Sequence, residues 1–309
     1  MILVWGPADD PPTQRVLEIL RDRQRPVLHV DEPTLDTLRY DVTLGIAAEG
    51  WLEVLGQRVP LATLSGVYLR PGEARSTAAR SASAALLGVT ASVAATVVNR
   101  PAAGRSNGSK PYQARLMTNA GLAVPDLLVT TDPQKARAFV AEHRKVVYKS
   151  ISGVRSIVSL LDAERPSDMA RLEAVAHGPV QLQRWVAGRD VRVHVVGSRC
   201  FATAIDSDAT DYRYAARQGS DVTLTTTDIP STLADQLVSL TAQLGLLVSG
   251  IDLLLTPDGR WFILEVNPSP GFTFYEEATA QPIGEAIVDL LLEDRQASIS
   301  SASAKPEPV

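Results

Sequence analysis

The chain has 309 residues, 45% of them hydrophobic, enough for two or three lobes with cores of their own. A net charge of −5 without a run of Lys or Arg offers no nucleic-acid footprint. The single cysteine, Cys200, excludes a disulfide scaffold and a cysteine-ligated metal, and suits a reducing, cytoplasmic setting. The longest weakly polar run, residues 86–98, falls short of the ~20 apolar residues that cross a bilayer, so no membrane partner is expected.

Residues 2–5 read as a buried strand rather than a secretory signal. Residues 12–23 follow as a helix with Val16, Leu17, Ile19 and Leu20 apolar, and 27–30 as a second strand. This β-α-β start implies a small open sheet. Residues 44–59 alternate like a hairpin around Gly50 and Gly56. A strand over 65–69 ends at Arg70-Pro71, and an Ala-rich helix is expected over 74–96. Residues 99–109, rich in Gly, Pro, Ser and Asn, mark a boundary. Pro111 suits a first helical turn, and the helix over 112–120 closes at Gly121. A strand at 127–130 and a helix opened by Asp132-Pro133 follow. The strand 145–149 runs into residues 150–153. Residues 180–186 form a strand that Gly188 breaks, and 191–196 pair with 200–205 around Gly197-Ser198. Leu233, Leu237, Leu240 and Leu244 share one face of a helix over 232–246. A last helix covers 283–292, and residues 296–309 read as a disordered tail.

The most informative stretch is 250–271, a hairpin of two apolar strands, 251–256 and 261–267, joined through Asp258-Gly259. With those two residues as the loop, Thr256 meets Trp261 and Asp252 lies opposite Glu265. Asn267 then points to the same face. Like charges directly opposite each other destabilise a sheet, and buried carboxylates need a partner or a metal. A hard cation shared with a phosphate answers both needs. A plainer reading has Asp252 capping the strand and Glu265 paired with an arginine such as Arg192. A one-residue bulge would upset the register.

Several cations stand where an anion would suit them. Lys149 ends an apolar strand. Lys110 sits at a helix N-terminus, against the dipole and beside a natural anion site. Arg192 alternates with Val191, Val193 and Val195 on a largely buried strand, and a buried guanidinium calls for an anion. Each could instead be a solvated or structural residue. The four histidines form no metal spacing.

In order, these residues resemble the ATP-grasp carboxylate–amine ligases, RimK-type glutamate ligases and the ribosomal-peptide maturases (graspetide, microviridin type) above all. The resemblance runs through Ser65–Pro71, Ser109–Gln113, Gly121–Pro125, Val147–Lys149 and Gly188–Val193. It ends with Gly250-Ile251-Asp252 and Glu265-Val266-Asn267-Pro268. It implies an α/β chain of α+β lobes: an open pre-ATP-grasp domain over 1–98, a central lobe over 99–182 and a metal-bearing lobe over 183–295. It implies ATP and Mg²⁺, with Mn²⁺ as an alternative, the metal on Asp252, Glu265 and Asn267. The nucleotide falls to Lys110, Lys149, Ser152, Asp190 and the hinge Gln183-Arg184-Trp185-Val186, where relatives often carry Glu in place of Arg184. Arg192 and Arg213 are the implied catalytic cations, with Arg217 weaker. The loop 150–156 has one glycine where relatives have several, and the Ser269–Phe272 turn looks RimK-like. The implied activity converts a carboxylate to an acyl phosphate and joins it to an amine or hydroxyl of a peptide or amino-acid substrate, with a homodimer as one possible assembly. A chain that binds ATP without turning it over is the alternative.

Overall fold

The computed structural model describes residues 1–45, 48–149, 151, 158–207 and 221–293. The strand Ile2–Trp5 lies at the centre of a four-stranded sheet. It pairs in parallel with Val27–Val30 on one side and with Gly66–Leu69 on the other, beyond which comes Thr96–Val98. Its four residues are buried on both faces, which explains a continuous rather than alternating apolar run. Leu3 and Trp5 face the helix Thr77–Ser92, whereas Ile2 and Val4 face the helices Pro11–Asp22 and Ile283–Leu292. Asp10 caps the first helix by accepting from the Thr13 N–H at 3.0 Å, ahead of Pro11 and Pro12 in the first turn.

Two expectations for this region need correction. The Ala-rich helix covers Thr77–Ser92, not 74–96, and its expected last residue starts the strand Thr96–Val98. The Arg100 guanidinium donates to the carbonyls of Thr90, Ala91, Val93 and Ala95, closing the helix end. Branched Thr96-Val97-Val98 then suits a strand. The expected hairpin is part of a three-stranded antiparallel meander, Arg39–Leu44, Ala48–Val54 and Gln57–Pro60. Gly56 makes the expected turn at φ +81°, but Gly50 lies within a strand opposite Val42 at φ +119°. A Cβ there would come within 1.9 Å of the Asp41 carbonyl oxygen.

Four antiparallel strands follow in the order Val158–Asp162, Lys145–Lys149, Val180–Arg184, Leu127–Thr130. The helix Pro133–His143 covers this sheet through Ala136 and Val140. The last sheet has five antiparallel strands in the order Val222–Thr226, Arg199–Ser207, Arg189–Val196, Val248–Leu255, Trp261–Asn267. One face packs Val191, Val193, Val195, Ile251 and Leu253 under the helices Lys110–Asn119 and Ser231–Gln243. On the opposite face, Val196 and Val248 meet the helix Ile283–Leu292, while Arg192, Asp252 and Glu265 border a cleft. Among the described residues, no helix is long and apolar enough to cross a membrane.

His194 belongs to that second face and is fully buried. Its Nε2 lies 3.3 Å from the Gly271 carbonyl oxygen, and its ring meets Tyr275 edge-on. Burial, reinforced by the charge of Arg192, holds its pKa well below 6.5. The imidazole is therefore neutral when folded, whereas the unfolded chain takes up its proton as the pH drops past 6.5. Stability should fall below that pH by up to about 1.4 kcal/mol per unit. Urea midpoints at descending pH check this, since His194→Asn should flatten the slope. An identical slope in both proteins would assign the acid sensitivity to other groups.

Candidate active site

The hairpin reaches the expected pairing by an unexpected route. Its turn is wider than two residues: the Gly259 N–H donates to the Thr256 carbonyl at 2.9 Å, with Gly259 at φ +82°, and the Thr256 N–H donates to the Arg260 carbonyl. Leu255, not Thr256, therefore pairs with Trp261. A bulge between Asp252 and Leu253 then moves the register back by one, placing Asp252 opposite Glu265 and Gly250 opposite Asn267. The bulge also lets Ile263 and Val266, three residues apart, both face the core. Asp252, Glu265 and Asn267 line a cleft of about 320 Å³ together with Arg192, Phe274 and Tyr275.

Each carboxylate has a cation. Arg192, 5% exposed and directly opposite Asp252, donates from Nη1 to Asp252 Oδ1 at 2.6 Å. Lys110 donates from Nζ to Glu265 Oε1 at 3.2 Å. The plainer reading had Asp252 as a cap and Glu265 on an arginine such as Arg192; instead Arg192 meets Asp252, and Glu265 meets Lys110. Gly250 makes room for this arrangement, because a Cβ there would fall 2.1 Å from Arg192 Nη2.

The donor set fits a hard cation. Two carboxylates and an amide oxygen share one face, and the Asp252 and Glu265 side chains are 28% and 32% exposed toward the cleft. The Asn267 oxygen also accepts from the Ser269 N–H at 3.0 Å, which leaves an amide oxygen a second lone pair. Among the described residues there is no group of three His, Cys, Asp or Glu able to hold a metal. Asp252, Glu265, Arg192 and Lys110 sum to zero charge, so a dication fits best when phosphates arrive with it.

In the central sheet, Lys149 lies opposite Gln181 and shares a face with Gln183, which is opposite Val147. Gln183 is buried at 4% exposure, Val186 is buried, and Trp185 is exposed. The Arg184 Nε donates to Asp126 at 2.8 Å, and the backbone N–H groups of Arg184 and Trp185 donate to Asp126 and Lys145. Two backbone donors of the expected hinge are thus engaged within the fold. Asp190, exposed, lies opposite Leu254 and on the same face as Arg192. Ser152, Arg213 and Arg217 lie outside the described residues.

Three residues frame the site without having been named as site residues from the sequence. Arg70 donates to both oxygens of Asp10, at 2.8 and 3.0 Å, and through Nη1 to the Ser269 and Pro270 carbonyls and the Ser269 hydroxyl. Burial raises the Asp10 pKa, but the hydrogen bond and charge of Arg70 outweigh it and hold the carboxyl below its usual value. Asn99 donates to the Val248 and Pro268 carbonyls and accepts from the Leu247 and Val248 N–H groups. Gln113 pairs through both amide atoms with the backbone of Val266. The available signals were an Arg-Pro at a strand end and a glutamine on the buried side of a helix. For Asn99, inside a loop-like stretch, there was none.

Comparison with known proteins gives the family and the fold. Residues 108–291 match the RimK-like ATP-grasp domain. A probable alpha-L-glutamate ligase of Haemophilus ducreyi is 31% identical over 164 residues, covering 50% of this chain and 52% of that protein. Beta-citrylglutamate synthase B of Danio rerio is 29% identical over 210 residues, 63% of this chain and 50% of the relative. The chain thus spans about half the length of the curated relatives it matches. Among solved structures, the ATP-grasp ligase PsnB, complexed with a phosphomimetic variant of its minimal precursor, Mg and ADP, superimposes with a TM-score of 0.77 at 27% identity. That match covers 94% of this chain and 97% of PsnB. The macrocyclase MdnC of Microcystis aeruginosa, bound with its precursor peptide MdnA, shares the fold with a TM-score of 0.77 at 21% identity, covering 95% of this chain and all of that one. Matched over well more than half its length, and folded as ATP-grasp ligases are, the chain belongs to the RimK-like ATP-grasp family.

Proposed function

We propose that the protein is an ATP- and Mg²⁺-dependent ligase. In this reading it activates a carboxylate as an acyl phosphate and joins it to an amine or hydroxyl, on a peptide or an amino acid. The observation that carries it is the cleft face on which Asp252, Glu265 and Asn267 stand among Arg192 and Lys110, within a RimK-like domain. Phosphoryl transfer asks a protein mainly to position its partners and offset charge. In this reading Lys110 and Lys149 offset the charge of the nucleotide phosphates, with Ser152 and Asp190 as further nucleotide contacts. Gln183, Arg184, Trp185 and Val186 form the adenine edge. In this reading Arg192 and Arg213 offset the charge that develops on the transferring group. Asp252, Glu265 and Asn267 would hold a Mg²⁺, or Mn²⁺ in its place, which would supply charge neutralisation for the phosphates. The likeness to PsnB, solved with Mg, ADP and a variant of its minimal precursor, and to glutamate ligases supports the ligase reading. The test is ADP release from ATP and Mg²⁺ with panels of carboxylates and nucleophiles. Release should require one of each. ATP binding without ADP release under any pairing would count against ligation.

A further inference from the structure

The strand Trp261–Asn267 is the edge of its sheet, so alternate backbone groups point away from any neighbouring strand. Val266 carries such groups, and it stands between two of the three candidate metal ligands, Glu265 and Asn267. The side chain of Gln113 meets it as a peptide group would. Gln113 Nε2 donates to the Val266 carbonyl at 2.7 Å, and Gln113 Oε1 accepts from the Val266 N–H at 2.9 Å. Both contacts are buried, and Gln113 is 3% exposed. Lower on the same edge, the Ile263 N–H donates to the Ala123 carbonyl at 2.8 Å. On the far side, the Pro268 carbonyl is gripped by Asn99 at 2.6 Å. The backbone on either side of Asn267 is therefore held by a side-chain amide. The helix that carries Gln113 also carries Lys110, whose ammonium meets Glu265.

We infer that Gln113 is a positioning residue for the metal: its paired hydrogen bonds to Val266 fix the spacing and aim of the Glu265 and Asn267 side chains, an inference that rests on the metal reading of this face. A fold needs only that the edge groups of Val266 find partners. A metal site also needs its ligands held to small tolerances, and groups behind the ligands usually matter about 10- to 100-fold for affinity. A side chain satisfying donor and acceptor of one residue fixes that residue in both translation and tilt.

The test is Mn²⁺ titration of the full chain with ADP present, followed by electron paramagnetic resonance, beside ADP binding in EDTA and thermal melts. Gln113→Leu removes both bonds at nearly constant volume. Its Mn²⁺ affinity should drop about tenfold, while metal-free ADP binding stays as in the wild type. Gln113→Glu keeps an acceptor for the Val266 N–H and should lose less, and it replaces the Leu variant if that one fails to fold. Lower melting temperature with unchanged Mn²⁺ affinity would overturn the inference and leave Gln113 purely structural. Wild-type protein that takes up no Mn²⁺ with ADP, indistinguishable from Glu265→Ala, would overturn the metal site itself and the inference with it.

Discussion

Glu265→Ala should lower Mg²⁺-dependent ADP formation by at least ~10²-fold, in line with removal of a group that stabilises charge in the reacting complex. The fold should hardly notice. The Glu265 side chain is 32% exposed and pairs with Lys110, whose side chain is 12% exposed, so the exchange costs about 1–2 kcal/mol. For a chain of this size that is a fall of about 1.5–3 °C in melting temperature. Asp252→Ala is a less clean probe, because it strips Arg192, whose side chain is only 6% exposed, of its carboxylate. ADP formation at undiminished rates in Glu265→Ala would mean that the metal is not held here. A large fall in melting temperature would mean instead that Glu265 is chiefly a structural ion.

Arg70→Met should give a large loss of stability for a change outside the apolar cores. The guanidinium ties the start of the first helix, through Asp10, to the Ser269-Pro270 turn that follows the candidate metal strand. Methionine keeps most of the aliphatic stem but makes none of the five hydrogen bonds, and it leaves the partly buried Asp10 carboxylate without that cation. Breaking one side of a buried pair costs about 3–5 kcal/mol, and partial exposure here argues for about 3. A melting temperature lower by about 4–6 °C follows. A shift of less than about 2 °C would show that the turn is held by its own prolines and by Asn99, with Arg70 adding little.

The two changes touch different kinds of information. Asp252 and Glu265 were legible because hairpin strands obey a period of two, and because two acids in an apolar sheet are costly enough to demand a reason. The period of two led to the right pair through the wrong turn, since one extra turn residue and one bulge cancel. The spacing of Ile263 and Val266, three apart but both apolar, was the visible trace of that bulge. The helix over 77–92 was legible in kind but not in its end, because its last carbonyls are satisfied by Arg100, a side chain beyond the helix. The resemblance led to Lys110 as a nucleotide contact, but its ion pair with Glu265, 155 residues away, left no mark in the sequence.

By itself, the sequence determined what is local and periodic: the buried strand at residues 2–5, the amphipathic helices, the acidic hairpin and the order of motifs that place the chain in its family. Only the tertiary structure decided which cation meets which carboxylate, and that the last helix returns to pack on the first sheet. Only it showed that Arg70, Asn99 and Gln113 fasten the backbone around the site. The physical reason is range. Propensity and alternation act over a few residues and leave a mark in the sequence, whereas a hydrogen bond between positions 113 and 266 depends on how separate elements dock, and leaves in the sequence only a buried glutamine.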